Sequence, residues 1–294
     1  MILQTSLDAQ IENVSRIAWH TTGKNAETPE ELALGYRKFL AQRRPDGANN
    51  VRYALGYEIV AAPETARQLS IVFTSSPATE IDDLKQLEAI EETVADPDQV
   101  GLSILNHGLD VLQNICHTHS PLFGLLISDI VVLLSKMANG GSTSNAVGII
   151  WANPSKSWRS LDTVEFLLHE FTHHCMFIDE LCNEHYDYQK VLDRNFWTDS
   201  AILNRPRPAD KVLHSIVVAT EILLLREQLL GHPASPRCHP PTTVIIRQTK
   251  NAVCNLLSLI ERPEASGLLR PRAVELLESC RSHIDSIDVS ILEH

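Results

Sequence analysis

The segment Asp162–Glu184 constrains the fold most strongly, because a cluster of polar and ionisable side chains stands within an otherwise apolar stretch. His169, Glu170 and His173 form the pattern H-E-x-x-H. On a helix, residues four apart lie on one face, so the two imidazoles can bind one divalent metal ion. Glu170 lies about 100° around the helix from His169, close enough to reach a metal-bound water. The pattern predicts a helix with two metal ligands and a catalytic carboxylate.

The residues around this motif also favour a helix. Asp162 and Glu165 have the spacing of a capping box, and acidic residues in the first turn suit the helix dipole. Apolar side chains recur at helical spacing, at Val164, Leu167, Leu168, Phe171, Cys175, Ile178 and Leu181. The alternative explanation is a chance match whose histidines only make hydrogen bonds. We favour metal binding, because His-Glu-His in an apolar segment without a partner is costly.

The composition argues against several classes of protein. With 25 basic and 37 acidic residues the net charge is −12, which argues against binding to nucleic acid or to anionic membranes. We find neither a signal peptide nor a membrane span in the sequence. Six cysteines without a C-x-x-C pair predict reduced thiols in a cytoplasmic protein. A homodimer is a possible assembly.

The pattern along the chain predicts a mainly α fold with a small β-sheet (α+β). We expect a single helical domain in which a zincin-like strand precedes the HExxH helix. A mostly helical part, residues 1–137, would precede a metal-binding catalytic part, residues 138–294. Helices are predicted at Leu7–Trp19, Pro29–Arg43, Val100–His117, Pro121–Met137, Asp210–Leu230, Thr242–Glu261 and Arg270–Ile287.

Strands are fewer and shorter. Ala146–Ala152 gives the clearest strand pattern, and Gln68–Ser75 gives a second. Tyr53–Val60 is compatible with a helix or a short strand, and Pro77–Asp96 has the composition of solvated helix and loop. Ala138–Ser144 is a glycine-rich turn. The strand Ala146–Ala152 is expected either to form a sheet edge to which an extended substrate adds as another strand, or to be plain core.

Two histidines need a third ligand to hold a catalytic metal ion. The metalloprotease class with an extended H-E-x-x-H-x-x-G-x-x-H motif is excluded, because Met176 and Asp179 replace its glycine and third histidine. The helix Asp210–Leu230 offers His214 and, seven residues later on the same face, Glu221. We favour His214 as the third ligand. Glu221 is the rival, and it could instead support a ligand histidine.

These pieces together resemble a known family. Leu167–His174, followed after a variable stretch by Arg207–Pro208 and Leu213–His214, is similar to the HExxH-type 2-oxoglutarate-dependent peptide β-hydroxylases of natural-product biosynthesis. The resemblance covers residues 145–230 approximately. Ser215–Val217, which follow the second histidine motif, differ from the glycine and aromatic residues expected in that family.

The resemblance implies an iron(II)-dependent hydroxylase whose partner is a peptide or a small amino-acid-derived substrate. Its implied ligands are His169, His173 and His214, with 2-oxoglutarate as the co-substrate and a carbon–hydrogen bond, expected at a β-carbon, as the point of attack. An arginine should pair with the distal carboxylate of 2-oxoglutarate, because the planar guanidinium matches that group. Arg207 stands at the matching position, with Arg205 and Arg226 as rivals. Each of them could instead be a structural arginine.

Two other functions compete with this interpretation. The first is a zinc metallopeptidase in which Glu170 is the general base on a metal-bound water. The second is a helical interaction protein with a degenerate site, against which the intact His169, Glu170 and His173 argue. The nature of the metal stays open between iron and zinc, because imidazole binds both.

Overall fold

A computed structural model describes residues 7–44, 51–74, 99–117, 120–135 and 138–287. Helices make up 64% of the structure and accompany a small mixed sheet, which confirms the predicted fold class. Contacts divide the chain into two compact units, Thr5–Cys182 and Asn183–His294 together with Met1–Gln4. The expected boundary at residue 137 falls inside the first unit. No helix in the described ranges has the length and apolar character needed to cross a bilayer.

The first unit holds six helices among its described residues. They are α1 (Leu7–Thr22), α2 (Pro29–Arg43), α3 (Pro63–Thr74), α4 (Gln99–Ile115), α5 (Ser120–Leu126) and α6 (Ser160–Cys182). Helix α6 packs against both α1 and α4. It starts at Ser160, two residues before Asp162, the first residue of the expected capping box. The Asp162 carboxylate accepts the backbone N–H of Arg159 at 2.9 Å. Asp162 therefore closes the first turn from inside the helix, as an acidic residue at this position commonly does.

The sheet of this unit is largely parallel. Its strands are β1 (Glu58–Val60), β2 (Asp129–Val132), β3 (Gly140–Gly141) and β4 (Ile149–Ala152). Their order is β1-β2-β4-β3, with only β3 antiparallel to its neighbour. Strands β2 and β4 are buried throughout, as is usual for central parallel strands.

Two local expectations for this unit are wrong. Pro121–Met137 is not one helix: a short helix is followed by β2, because an apolar run with β-branched residues also suits a buried strand. Gln68–Ser75 is not a strand, because through residue 74 it belongs to α3, which buries Ala66, Leu69 and Phe73 at helical spacing. Of the two alternatives for the strand at Ala146–Ala152, the structure supports plain core, since β4 is buried and flanked by β2 and β3. Pro77–Asp96 lies outside the described residues.

Gly148 connects the sheet to α6. Its φ is +88°, and its backbone N–H donates to Nδ1 of the buried His174 at 3.1 Å. Its carbonyl accepts the backbone N–H of Ser128 at 2.8 Å. Beside it, Arg44 and Asp129 form a buried ion pair of 2.7 Å. Strand β4, the start of β2 and the middle of α6 are thereby fixed to one another.

The second unit is built around α8 (Ala209–Leu225), which packs against two later helices. The other elements are α7 (Tyr188–Val191), β5 (Thr198–Asp199), β6 (Pro206–Arg207), α9 (Thr242–Ile260) and α10 (Pro271–Ser286). Strands β5 and β6 form a short antiparallel hairpin that leads directly into α8. A π-helical turn, Arg226–Leu230, continues α8 to Gly231, which confirms the predicted end of this helix.

Replacing Gly148 by alanine is expected to lower the free energy of unfolding by about 3 kcal/mol. A β-carbon there would lie 2.7 Å from Leu40 Cδ1 and 3.2 Å from the Leu126 carbonyl, in a backbone conformation that disfavours side chains. Gly23→Ala is the matched control, because Gly23 also has a positive φ but has no other atom within 4 Å of the place where a β-carbon would lie. It should cost only about 1 kcal/mol. Urea unfolding of both variants measures the difference, and equal losses would contradict the steric explanation.

His174→Asn is expected to weaken the acid sensitivity of the fold. Burial lowers the pKa of His174 from 6.5 to about 3, against an opposing effect of the Ile149 backbone. Between these two values the unfolded chain binds a proton that the folded chain does not, so stability falls as the pH falls. Asparagine keeps an acceptor for Gly148 but does not titrate. Unfolding midpoints measured between about pH 7 and about pH 4 should fall less steeply than in the wild type, and equal slopes in the two proteins would contradict this explanation.

Candidate functional site

Two histidines stand apart from the rest of α6 by their exposure. From Asp162 to Asp179 every residue is buried except His169 and His173, which are partly exposed. The side chain of His169 is 18% exposed. A helix that is buried on nearly all sides is a core helix. The two residues of the predicted metal motif are therefore the only ones that this part of the helix presents to solvent.

The two imidazoles lie close together, as the four-residue spacing predicts. Their ring centroids are 5.0 Å apart, with an angle of 62° between the ring planes. Phe177, one turn further along, stacks on His173 with ring centroids 6.1 Å apart. This apolar neighbour restricts the orientation of the His173 ring. The arrangement provides two nitrogen ligands from one rigid element, which suits a divalent ion such as zinc or iron(II).

Glu170 lies beside the pair and is buried. Its Oε1 atom is 3.9 Å from Nε2 of His169. Burial raises the pKa of the Glu170 carboxyl to about 7, while the nearby Ser142 hydroxyl acts in the opposite direction. The carboxyl can consequently exchange a proton near neutral pH, which is the property required of a general acid or base.

His174 follows His173 directly but belongs to the core. Its ring is fully buried and accepts the Gly148 N–H. Successive residues of a helix point about 100° apart, so the ring of His174 is directed into the sheet while His173 is directed to the accessible side. The structure thus separates two adjacent histidines into a structural one and a candidate ligand.

The remaining predicted site residues belong to the second unit. His214 and Glu221 are both buried on α8. Arg207 pairs with Thr198 in the β5–β6 hairpin, and the Arg205 carbonyl accepts the Ser200 N–H at 3.0 Å. Arg226 is fully buried at the end of α8. The completion of the site by His214 or Glu221, and the binding of a carboxylate by any of these arginines, stay predictions.

Arg226 has a structural role of its own. Its Nη1 atom donates to the Pro240 carbonyl at 3.0 Å and to Thr242 Oγ1 at 3.1 Å. These bonds fasten the start of α9 to the end of α8. The interpretation of this residue as a structural arginine therefore gains support, and Arg207 stays the favoured candidate for the co-substrate.

The structure brings together His169, Glu170 and His173, the three residues of the motif. Over the ranges that the structure describes, no group of three or more His, Cys, Asp or Glu side chains is arranged to hold a metal ion. The pair on α6 fits two of the ligands of such an ion. No protein-family model matches the chain, and no curated protein matches it at a significant level.

Ser142 is a residue of this region that the sequence did not reveal. It follows β3 within the predicted glycine-rich turn, and its hydroxyl opposes the rise in the pKa of the Glu170 carboxyl. A single serine in a turn carries no sequence signal of such a role. The only hint of a role was its position after two consecutive glycines and before the strand that leads to the HExxH helix.

Replacing either His169 or His173 by alanine should weaken zinc binding by at least about 100-fold, because each removes half of the ligands that α6 provides. Competition with a chromophoric chelator measures the affinity. His20→Ala is the control, because His20 is an exposed histidine on α1. Zinc binding of wild-type strength in either variant would show that the pair does not hold the ion.

Proposed function

We propose that this protein is a metal-dependent enzyme whose ion is bound by His169 and His173. The observation that carries the proposal is the exposure pattern of α6, in which these two side chains alone, between Asp162 and Asp179, are not buried. Paired imidazoles on one helix face are a common arrangement for a divalent ion. His214 is the proposed third ligand, with Glu221 as the alternative.

The proposed reaction is an iron(II)- and 2-oxoglutarate-dependent hydroxylation. The substrate is a peptide, a peptidyl group or an amino acid of natural-product biosynthesis, and the attacked position is a carbon–hydrogen bond at a β-carbon. Dioxygen would be the oxidant for such a bond: bound iron would activate it, and 2-oxoglutarate would be oxidised to succinate and carbon dioxide as one oxygen atom goes to the substrate. The resemblance of Leu167–His174 and Leu213–His214 to the hydroxylase family supports this proposal, as does a three-histidine set whose positive charge suits a dianionic co-substrate. A cytoplasmic location is part of the same proposal.

In this reaction the residues of the chain would hold the ion and orient the co-substrate. His169 and His173 fix the position of the ion relative to α6, and Phe177 restricts the ring of His173. Arg207 is proposed to orient the co-substrate through its distal carboxylate. Glu170 can hold a proton at its carboxyl and hydrogen-bond to a ligand or water beside the ion.

A zinc metallopeptidase is the second candidate, and the environment of Glu170 favours it. A buried carboxyl with a pKa of about 7, 3.9 Å from a ligand histidine, suits a general base that removes a proton from water. Both candidate functions therefore use an ion bound by the same histidines, but they differ in how strongly activity depends on Glu170. A peptidase depends on this carboxylate for its chemistry, whereas an oxygenase does not.

The two candidates predict different products and a different effect of Glu170→Gln. An oxygenase loaded with iron(II) should form succinate from 2-oxoglutarate, and the zinc-loaded protein should not. Glu170→Gln should then keep roughly a tenth or more of that rate, whereas a peptidase should lose about 100-fold or more of its peptide hydrolysis. Succinate release and cleavage of a mixed peptide library measure the two activities.

Two controls complete the comparison. His169→Ala should abolish whichever activity is present. Glu184→Gln should change neither, because Glu184 is a largely exposed carboxylate just beyond the end of α6. Absence of both activities from wild-type protein loaded with either metal would refute the proposed function.

A further inference from the structure

A chain of hydrogen bonds connects four side chains where the end of α8 meets the start of α9. Arg226 Nη1 donates to Thr242 Oγ1 at 3.1 Å, and Thr242 Oγ1 lies 3.3 Å from Nδ1 of His232. On the other side of the imidazole, Nε2 of His232 lies 3.1 Å from Oε2 of Glu227. Glu227 belongs to the π-helical turn, and Thr242 is the first residue of α9. All four residues belong to the second unit, and none of them is part of the HExxH motif.

The chemistry of these groups gives the chain of hydrogen bonds a direction. A guanidinium has only N–H donors, so Thr242 Oγ1 accepts from Arg226. The Thr242 hydroxyl can then donate to Nδ1 of His232, in a neutral ring that carries its own proton on Nε2. That proton is donated to the Glu227 carboxylate. A hydroxyl, a base and an acid that orients the base thus follow one another, which is the arrangement of an activated nucleophile.

Burial and charge favour Thr242 as the reacting group. Thr242 is 4% exposed, and Arg226 is fully buried. A positive charge held beside the hydroxyl oxygen, away from water, stabilises the negative charge that develops on oxygen during attack on a carbonyl. The side chain of His232 is 27% exposed, so the base borders solvent. A small acyl group is the class of substrate that suits a largely covered hydroxyl beside an accessible ring.

We propose that Thr242, His232 and Glu227 form a second catalytic site, which transfers a small acyl group from an ester to water. The Thr242 oxygen forms a bond to the carbonyl carbon while Nδ1 of His232 takes the hydroxyl proton. The ester carbon–oxygen bond then breaks, and the alcohol leaves with that proton. Water attacks the acyl-threonine and gives a proton to Nδ1; the carboxylic acid is released, and the proton returns to Thr242. Glu227 orients the ring throughout.

The test is acetylation by p-nitrophenyl acetate in the presence of a metal chelator. The wild type should release p-nitrophenol and, in acid-quenched samples, carry an acetyl group on Thr242 that peptide mass mapping identifies. Thr242→Val should lose this modification, and Thr242→Ser, which keeps a hydroxyl, should retain it. His232→Gln should slow the release of p-nitrophenol by about 100-fold or more, and Glu227→Gln by about 10-fold or more.

Thr243→Val is the matched control, because Thr243 is the exposed threonine next to Thr242, and it should leave the rate unchanged. Equal rates of p-nitrophenol release in the wild type and His232→Gln would overturn the proposal, and so would acetylation confined to lysine side chains. Glu227 and His232 are exposed or partly exposed, so their variants give a result even if Thr242→Val does not fold.

This second site and the proposed metal-dependent function stand or fall separately. The acetylation is measured with the chelator present, so a negative result leaves the proposed metal-dependent function untouched. Wild-type protein that binds no metal would in turn remove that function and leave the rate of p-nitrophenol release as the measure of the second site.

Discussion

The hydrogen bond from the Gly148 N–H to His174 sets the arrangement of the first unit. It joins the turn before β4 to the middle of α6, and the Gly148 carbonyl extends the connection to Ser128 at the start of β2. A buried acceptor that lost this donor would be costly, so the bond fixes the rotation of α6 about its own axis. That rotation places His174 inside and leaves His169 and His173 at the surface. The candidate site is a consequence of how the core is fastened.

The sequence predicted the HExxH helix well, because its apolar spacing, its acidic first turn and its ionisable residues all agree on one structure. It failed where a short apolar run had to be assigned without its neighbours. Ile130–Val132 suit a helix or a strand equally, and only pairing with β1 and β4 makes them a strand. For Gln68–Thr74 the error is the reverse, because a predicted strand is a helix. Packing of Leu69 and Phe73 into the core favours the helix.

The candidate site likewise has a part that the sequence predicts and a part that depends on packing. His169, Glu170 and His173 are separated by fixed steps on one helix, so their proximity follows from helix geometry. The effect of the Ser142 hydroxyl on the pKa of Glu170 depends on where the fold places the turn after β3, which no spacing in the sequence encodes. Ligands that come from another element depend on packing of that kind, and this is why His214 and Glu221 could only be ranked from the sequence.

The burial of His174 also bears on how an ion would enter the site. Three histidines, His169, His173 and His174, lie close together in the sequence of α6. Here the third ring is engaged with the backbone of Gly148 and enclosed by core side chains. On this helix, His169 and His173 are therefore the histidines whose rings face the accessible side.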